Sequence, residues 1–198
     1  MEVTFVIIDD NKEIQEHPLL FTLEDKYINV KFYSNPQEGL SYIKNNLDIN
    51  LIVLLDIEFS KDDILDGHDL LKEIYNSSSL IPVILWSGIN QTNEEFSDFI
   101  NNKGFGFLSK DCSLEEAMLI VNKAYSNLKN SLDNTIEDWI ISNKSDKDKP
   151  IYFTSSGDSF NLNQILKEIR LQTPIGKEFS SKLNSLTIDL LLRKRESL

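Results

Sequence analysis

Five consecutive apolar residues, Leu51-Ile52-Val53-Leu54-Leu55, run without alternation into the carboxylate of Asp56. A strand with one wet face alternates apolar and polar residues. An unbroken run needs cover on both faces, as in a parallel sheet. In open α/β sheets, ligands collect in the crevice beyond the carboxyl ends of the strands. Asp56 stands at such an end, where a charged group serves chemistry rather than packing.

The rest of the first half repeats this pattern. Val3 to Ile8 is a β-branched, aromatic run ending in Asp9-Asp10. A helix is predicted from about Asn11 to Leu23, with Pro18 shifting its start or kinking it. Ile28 to Tyr33 alternates as an edge strand does. Asn35-Pro36-Gln37-Glu38 is a helix-start signature, and the helix it opens carries Leu40 and Ile43 inward. After Asp56 a polar loop, Glu58 to Asp66, leads to Gly67 and a helix with Leu70, Leu71 and Ile74. Ile81 to Trp86 reads as a fourth strand running into Ser87-Gly88, followed by a short helix over about Asn93 to Asn101. Gly104 to Leu108 reads as a fifth strand ending in Ser109-Lys110. Five strands alternating with helices predict a parallel α/β sheet.

Ser113-Leu114-Glu115-Glu116 is a capping box opening a long helix. Its apolar seam is Leu114, Met118, Val121, Tyr125, Leu128 and Leu132, and the same register then places Thr135 and Trp139. Read through to Ile141, the helix would be roughly 43 Å long, well beyond the four turns or so that cover a sheet. The excess predicts a helix projecting past the first domain and pairing two copies through 114–139; a bend near Asn130-Ser131 is the alternative. Ser142 to Lys149 is polar, alternately charged and ends at Pro150, as a linker would. Beyond it come a strand at Ile151 to Thr154, a turn at Ser155 to Asp158, and a helix capped by Asn161-Leu162-Asn163-Gln164. Thr173-Pro174 starts a second helix with Phe179, Leu183, Leu186 and Leu190 on one stripe. The domain boundaries so read are 1–129, a helix extension and linker over 130–149, and a small module over 150–198, either α+β or mostly helical.

Charge narrows the function classes. Residues 1–143 carry 10 Lys and Arg against 25 Asp and Glu, whereas residues 144–198 carry 10 against 7. The acidic body repels nucleic acid and anionic membranes. No run approaches the roughly 18 apolar residues that span a bilayer. The N-terminus lacks the basic stretch of a signal peptide, and the single Cys112 fits a reducing compartment. The expected location is cytoplasmic.

Asp9 and Asp10 end the first strand, Asp56 the third, and Ser87 and Lys110 the fourth and fifth, so all should meet at one sheet edge. Clustered carboxylates resist joint ionisation unless a cation offsets them. A hard divalent ion suits an all-oxygen set, and Mg²⁺ favours few carboxylates together with water and a phosphoryl oxygen.

Val6-Ile7-Ile8-Asp9-Asp10-Asn11, Leu54-Leu55-Asp56, Asp66-Gly67-His68-Asp69-Leu70-Leu71, Trp86-Ser87-Gly88 and Phe107-Leu108-Ser109-Lys110 together resemble the receiver domain of two-component response regulators over about residues 1–129. The resemblance implies a flavodoxin-like fold with strand order 2-1-3-4-5. It implies phosphorylation of Asp56 by a histidine kinase or histidine phosphotransfer protein. Mg²⁺ would be held by Asp9, Asp10, Asp56 and the backbone carbonyl of Glu58. Ser87 would bond the phosphoryl group, Lys110 would pair with it, and Ser87 and Phe107 would carry the switch. Phenylalanine at 107 can change only its packing. Two departures stand out: the loop between Asp56 and Gly67 is long, and Asp111 follows Lys110 where the family usually has proline. A cis bond there is disfavoured by about 2.5–4 kcal/mol.

The resemblance implies a signalling protein, not an enzyme beyond its own phosphorylation and dephosphorylation. The enzyme rival is a phosphatase with Asp56 as nucleophile and Glu58 as the second carboxylate. For the tail, a protein-interaction or dimerisation module is favoured over a DNA-binding output. Arg193-Lys194-Arg195 argues for DNA, but the preceding helix offers few side chains suited to base edges. His17, His68, Cys112 and Trp139 read as ordinary surface or packing residues.

Overall fold

The computed structural model describes residues 2–27, 29–59, 66–88, 104–143 and 147–195. The predicted helix over 93–101 and most of the loop between Glu58 and Asp66 lie outside the described residues. The chain divides into two compact units, Met1–Asn130 and Ser131–Leu198.

The first unit is built on five parallel strands, β1 (Thr4–Ile8), β2 (Asn29–Tyr33), β3 (Leu51–Leu55), β4 (Val83–Ser87) and β5 (Gly106–Ser109), in the order β2-β1-β3-β4-β5. The unbroken apolar runs split between two cores, as a doubly covered sheet requires. Phe5, Ile7, Ile52, Leu54, Ile84 and Trp86 face one side, under α1 (Pro18–Lys26) and α4 (Leu114–Asn130). Val6, Ile8, Val53, Leu55 and Leu85 face the other, under α2 (Pro36–Asn45) and α3 (Gly67–Ser77). The edge strand β2 is only half-buried.

Local chemistry sets the helix starts. Asn35 accepts from the amides of Gln37 and Glu38, with Pro36 in the first turn. Ser113 and Glu116 form the reciprocal bonds of a capping box. Pro18 shifts the start of the helix expected over about Asn11 to Leu23, one of the two outcomes read from the sequence. Residues Lys12–Glu16 form a separate 3-10 turn, and Pro18 opens α1, with His17 as its cap. Proline's fixed φ and missing N–H suit a first turn and break a helix interior.

The projecting helix is also corrected. Ser131 is extended (φ −71°, ψ 130°) and caps a separate helix, α5 (Leu132–Ser142). Met118, Val121 and Leu128 are buried against the first unit's own sheet, with Tyr125 packed beside them. Of that seam Met118, Val121 and Leu128 are spent within the first unit and Ser131 interrupts the helix, while Leu114, Leu132 and Trp139 stay 40%, 43% and 52% exposed, so no continuous helical stripe runs over 114–139.

The second unit takes in α5, which is not a connector. Arg170 Nε reaches Glu137 Oε1 at 2.6 Å, and Gln172 Nε2 reaches Asp133 Oδ2 at 2.9 Å. The polar stretch is tied at its end as well: Lys147 donates to the Ile141 carbonyl and Asn163 to Asp148. A hairpin of β6 (Pro150–Phe153) and β7 (Ser159–Asn161) turns through Gly157 at φ 95°. Asn161 and Gln164 then cap α6 (Leu162–Arg170), and α7 (Pro174–Arg195) follows. The start of α7 lies so close to α6 that a Cβ on Gly176 would overlap the Glu168 carbonyl.

Candidate functional site

The carboxyl ends of β1, β3 and β5 bring three acids and one base together. Asp9 and Asp56 follow β1 and β3 directly and continue the sheet ladder: Asp9 N donates to Tyr33 O at 3.1 Å and Asp56 N to Ile8 O at 2.9 Å. That pairing fixes the backbone beneath each carboxylate. Asp9 is 1% exposed and Asp56 5%, while Asp10 is half-buried. One oxygen from each of the three lies within 4.8 Å of the others.

Lys110, just after β5, lies across the acids. Its Nζ is 2.7 Å from Asp9 Oδ2 and 2.9 Å from Asp56 Oδ2. The Asp56 contact is an aligned hydrogen bond. The Asp9 contact is not, so the buried Oδ2 of Asp9 has no aligned donor among the described residues. The other oxygens are held by the backbone: Asp56 Oδ1 accepts from the Ile57 amide at 2.8 Å and the Glu58 amide at 3.4 Å, and Asp9 Oδ1 from the Asn11 amide at 3.0 Å.

Burial pushes the Asp9 carboxyl above its ordinary value. The close approach of the Lys110 ammonium pulls it down, and the charge of Asp56 pushes it up again. For Lys110 burial acts downward, but its contacts with the Asp9 and Asp56 carboxylates outweigh it and hold the ammonium above its usual range. Three carboxylates against one ammonium leave two negative charges unbalanced. A set of oxygens with one buried atom lacking an aligned donor fits a hard divalent cation.

Ser87 ends β4, 1% exposed, and its carbonyl accepts from the Lys110 amide at 2.8 Å. Phe107 on β5 is half-buried against the core beneath α2 and α3. Glu58 is exposed, two residues after Asp56. Gly67 opens α3 where its amide donates to the Ile57 carbonyl at 3.2 Å. A Cβ there would come within 2.5 Å of the Asp56 carbonyl and Ile57 Cα, so only glycine lets α3 begin this close to the site. No cis peptide occurs among the described residues, the Lys110-Asp111 bond included.

His68 is half-buried on the first turn of α3. Cys112 is half-buried, and its thiol is pushed up by burial and then by the neighbouring Glu116. His17 does more than a surface residue would. Its Nδ1 accepts from the Leu19 amide at 3.1 Å, which leaves the proton on Nε2, 3.4 Å from the Lys110 carbonyl. Its ring meets Trp86 edge-on at 5.0 Å. The one local signal was its place directly before Pro18.

An acidic pocket bridged by a lysine thus lies at the carboxyl edge of a doubly wound parallel sheet, the arrangement of an aspartate-centred α/β domain. The chain belongs to the response regulator receiver domain family, whose model matches residues 5–122. A CheY-like receiver domain protein from Methanospirillum hungatei JF-1 is similar at 22% identity and a TM-score of 0.55, covering 66% of this chain and 100% of that one. A two-component response regulator from Clostridium difficile is similar at 24% identity and a TM-score of 0.54, with the same coverage. NtrX from Brucella abortus, solved in complex with ATP, is similar at 23% identity and a TM-score of 0.55, covering 71% of this chain and 34% of that one. No curated protein matches. Among the described residues no helix is long and apolar enough to cross a membrane.

Proposed function

We propose that this chain is a response regulator in which Asp56 accepts a phosphoryl group from a histidine kinase or histidine phosphotransfer protein. The observation that carries the reading is the division of labour on the Asp56 carboxylate. Backbone amides hold Oδ1, while Oδ2 faces Lys110 and the Asp9 carboxylate. One oxygen is a fixed anchor and the other lies in the charged pocket. In the transfer, a carboxylate oxygen forms a bond to phosphorus as the donor's P–N bond breaks, and the departing imidazole keeps the electron pair and takes up a proton.

Asp9, Asp10, Asp56 and the Glu58 carbonyl would hold Mg²⁺, which supplies positive charge to offset phosphoryl oxygens. Lys110 then gives up part of its hold on the acids to pair with the new group. The Ser87 hydroxyl is the donor that reads it, and Phe107, which has no hydroxyl, reports by repacking. The chain catalyses no reaction beyond its own phosphorylation and dephosphorylation. Its output is protein contact rather than DNA contact: the distal half of α7 exposes leucines, which suit a protein surface better than a phosphate backbone.

A small acyl phosphate with Mg²⁺ is expected to add one phosphate by intact mass. Asp56→Asn and metal chelation should each abolish the addition. Labelling that persists in the Asn variant overturns the assignment.

A further inference from the structure

We propose that the second unit docks a second copy of this chain through an antiparallel pairing of α7 with its twin. This rests on the reading of that unit as a protein-contact module and names its partner. The helix has 22 residues against nine in α6, about 33 Å against 14 Å. Its α6-facing side is marked by buried Gly176 and Ser180. Beside that side runs a stripe spaced 4, 3 and 4: Phe179, Leu183, Leu186 and Leu190. Phe179 meets Tyr152 edge-on at 5.3 Å, and it and Leu183 are half-buried. Leu186 and Leu190 are 55% and 54% exposed.

Charge complementarity points to a second copy as the occupant, although Lys182 also meets Glu178 on its own helix at 2.6 Å. Lys182 and Asp189 each stand one residue before a stripe leucine and are exposed, so both flank the same edge of the stripe. In an antiparallel pair, Phe179 packs opposite Leu190 and Leu183 opposite Leu186 of the second copy. That register sets Lys182 beside Asp189 of the second copy, and the two-fold axis repeats the pair. A parallel pair in register would set Lys182 near Thr187 instead, leaving it only the Glu178 and Tyr152 contacts it makes within its own chain. Net charge permits the approach: residues 131–198 carry ten basic and ten acidic residues, whereas residues 1–130 carry ten and 22.

The test is sedimentation of the full chain from about 1 to 500 µM. The parent is expected to pass from monomer to dimer over that range. Asp189→Lys or Lys182→Glu alone places like charges together twice and should weaken the dimer roughly tenfold. The double reversal should restore it, and circular dichroism should show unchanged helix in all three variants. A parent that stays monomeric at every concentration overturns the proposal. So do single variants that dimerise like the parent, or a double variant as weak as the singles. Asp56→Asn should dimerise like the parent, so failure at α7 and failure of the phosphoacceptor reading register separately.

Discussion

Lys110→Met tests whether one ammonium holds the acidic pocket together. Methionine keeps much of the lysine stem and removes the charge that meets Asp9 at 2.7 Å and Asp56 at 2.9 Å. Breaking a fully buried ion pair from one side costs roughly 3–5 kcal/mol. The Lys110 side chain is 18% exposed, so some screening applies and about 2–3 kcal/mol is expected. For a unit of this size that lowers the melting temperature by about 10 °C. The assay is a urea titration followed by circular dichroism, in chelator and in excess Mg²⁺, on the full chain. Mg²⁺ at about 100 times its Kd stabilises the folded form by about 2.7 kcal/mol. The variant should gain more than the parent, because the cation takes over the missing charge, and the gap should close to under about 1 kcal/mol. The gap in chelator should also shrink as pH falls, since a protonated Asp9 needs no counter-ion. A variant as stable as the parent in chelator would refute the reasoning, as would a Mg²⁺ response absent from both proteins.

Two further outcomes test the second unit. Gly176→Ala would gain up to about 1 kcal/mol in helix propensity on an isolated helix. Here the added Cβ overlaps the Glu168 carbonyl, so a net loss of about 1–3 kcal/mol in urea denaturation is expected, and a gain would mean that α6 and α7 do not cross so closely. Burial raises the Glu137 carboxyl above its ordinary 4.5, against the pull of Arg170. The folded state therefore holds this proton more tightly than the unfolded one. Its contribution to stability is present at low pH and is lost as pH rises from about 4.5 through the raised value. Glu137→Gln should flatten that slope in denaturation curves taken across pH 4–7, and an unchanged slope would place its cause elsewhere.

What the sequence revealed was what neighbouring residues decide. Unbroken strands such as Leu51–Leu55 announced a sheet covered on both faces, and caps such as Asn35-Pro36 and Asn161-Gln164 announced helix starts. The site acids were legible because each ends a strand, and the topology then sets those ends side by side. Three features were hidden. The apolar register runs straight across Ser131, so the spacing left the break between α4 and α5 as the alternative rather than the first reading. The strand β7 has three residues, two of them polar, and exists through its pairing with β6. His17 owes its place near Lys110 to a contact 93 residues away along the chain, beyond the reach of any local pattern.

The chain has two tryptophans, and the fold places one in each unit. Trp86, 1% exposed, lies next to Ser87 with its ring against His17, while Trp139 on α5 is 52% exposed. The first should emit at short wavelength and resist a soluble quencher, and the second should emit at long wavelength and yield to it. The native fluorescence spectrum is thus a built-in pair of optical channels: one beside the acidic pocket, the other in the unit proposed to carry the output.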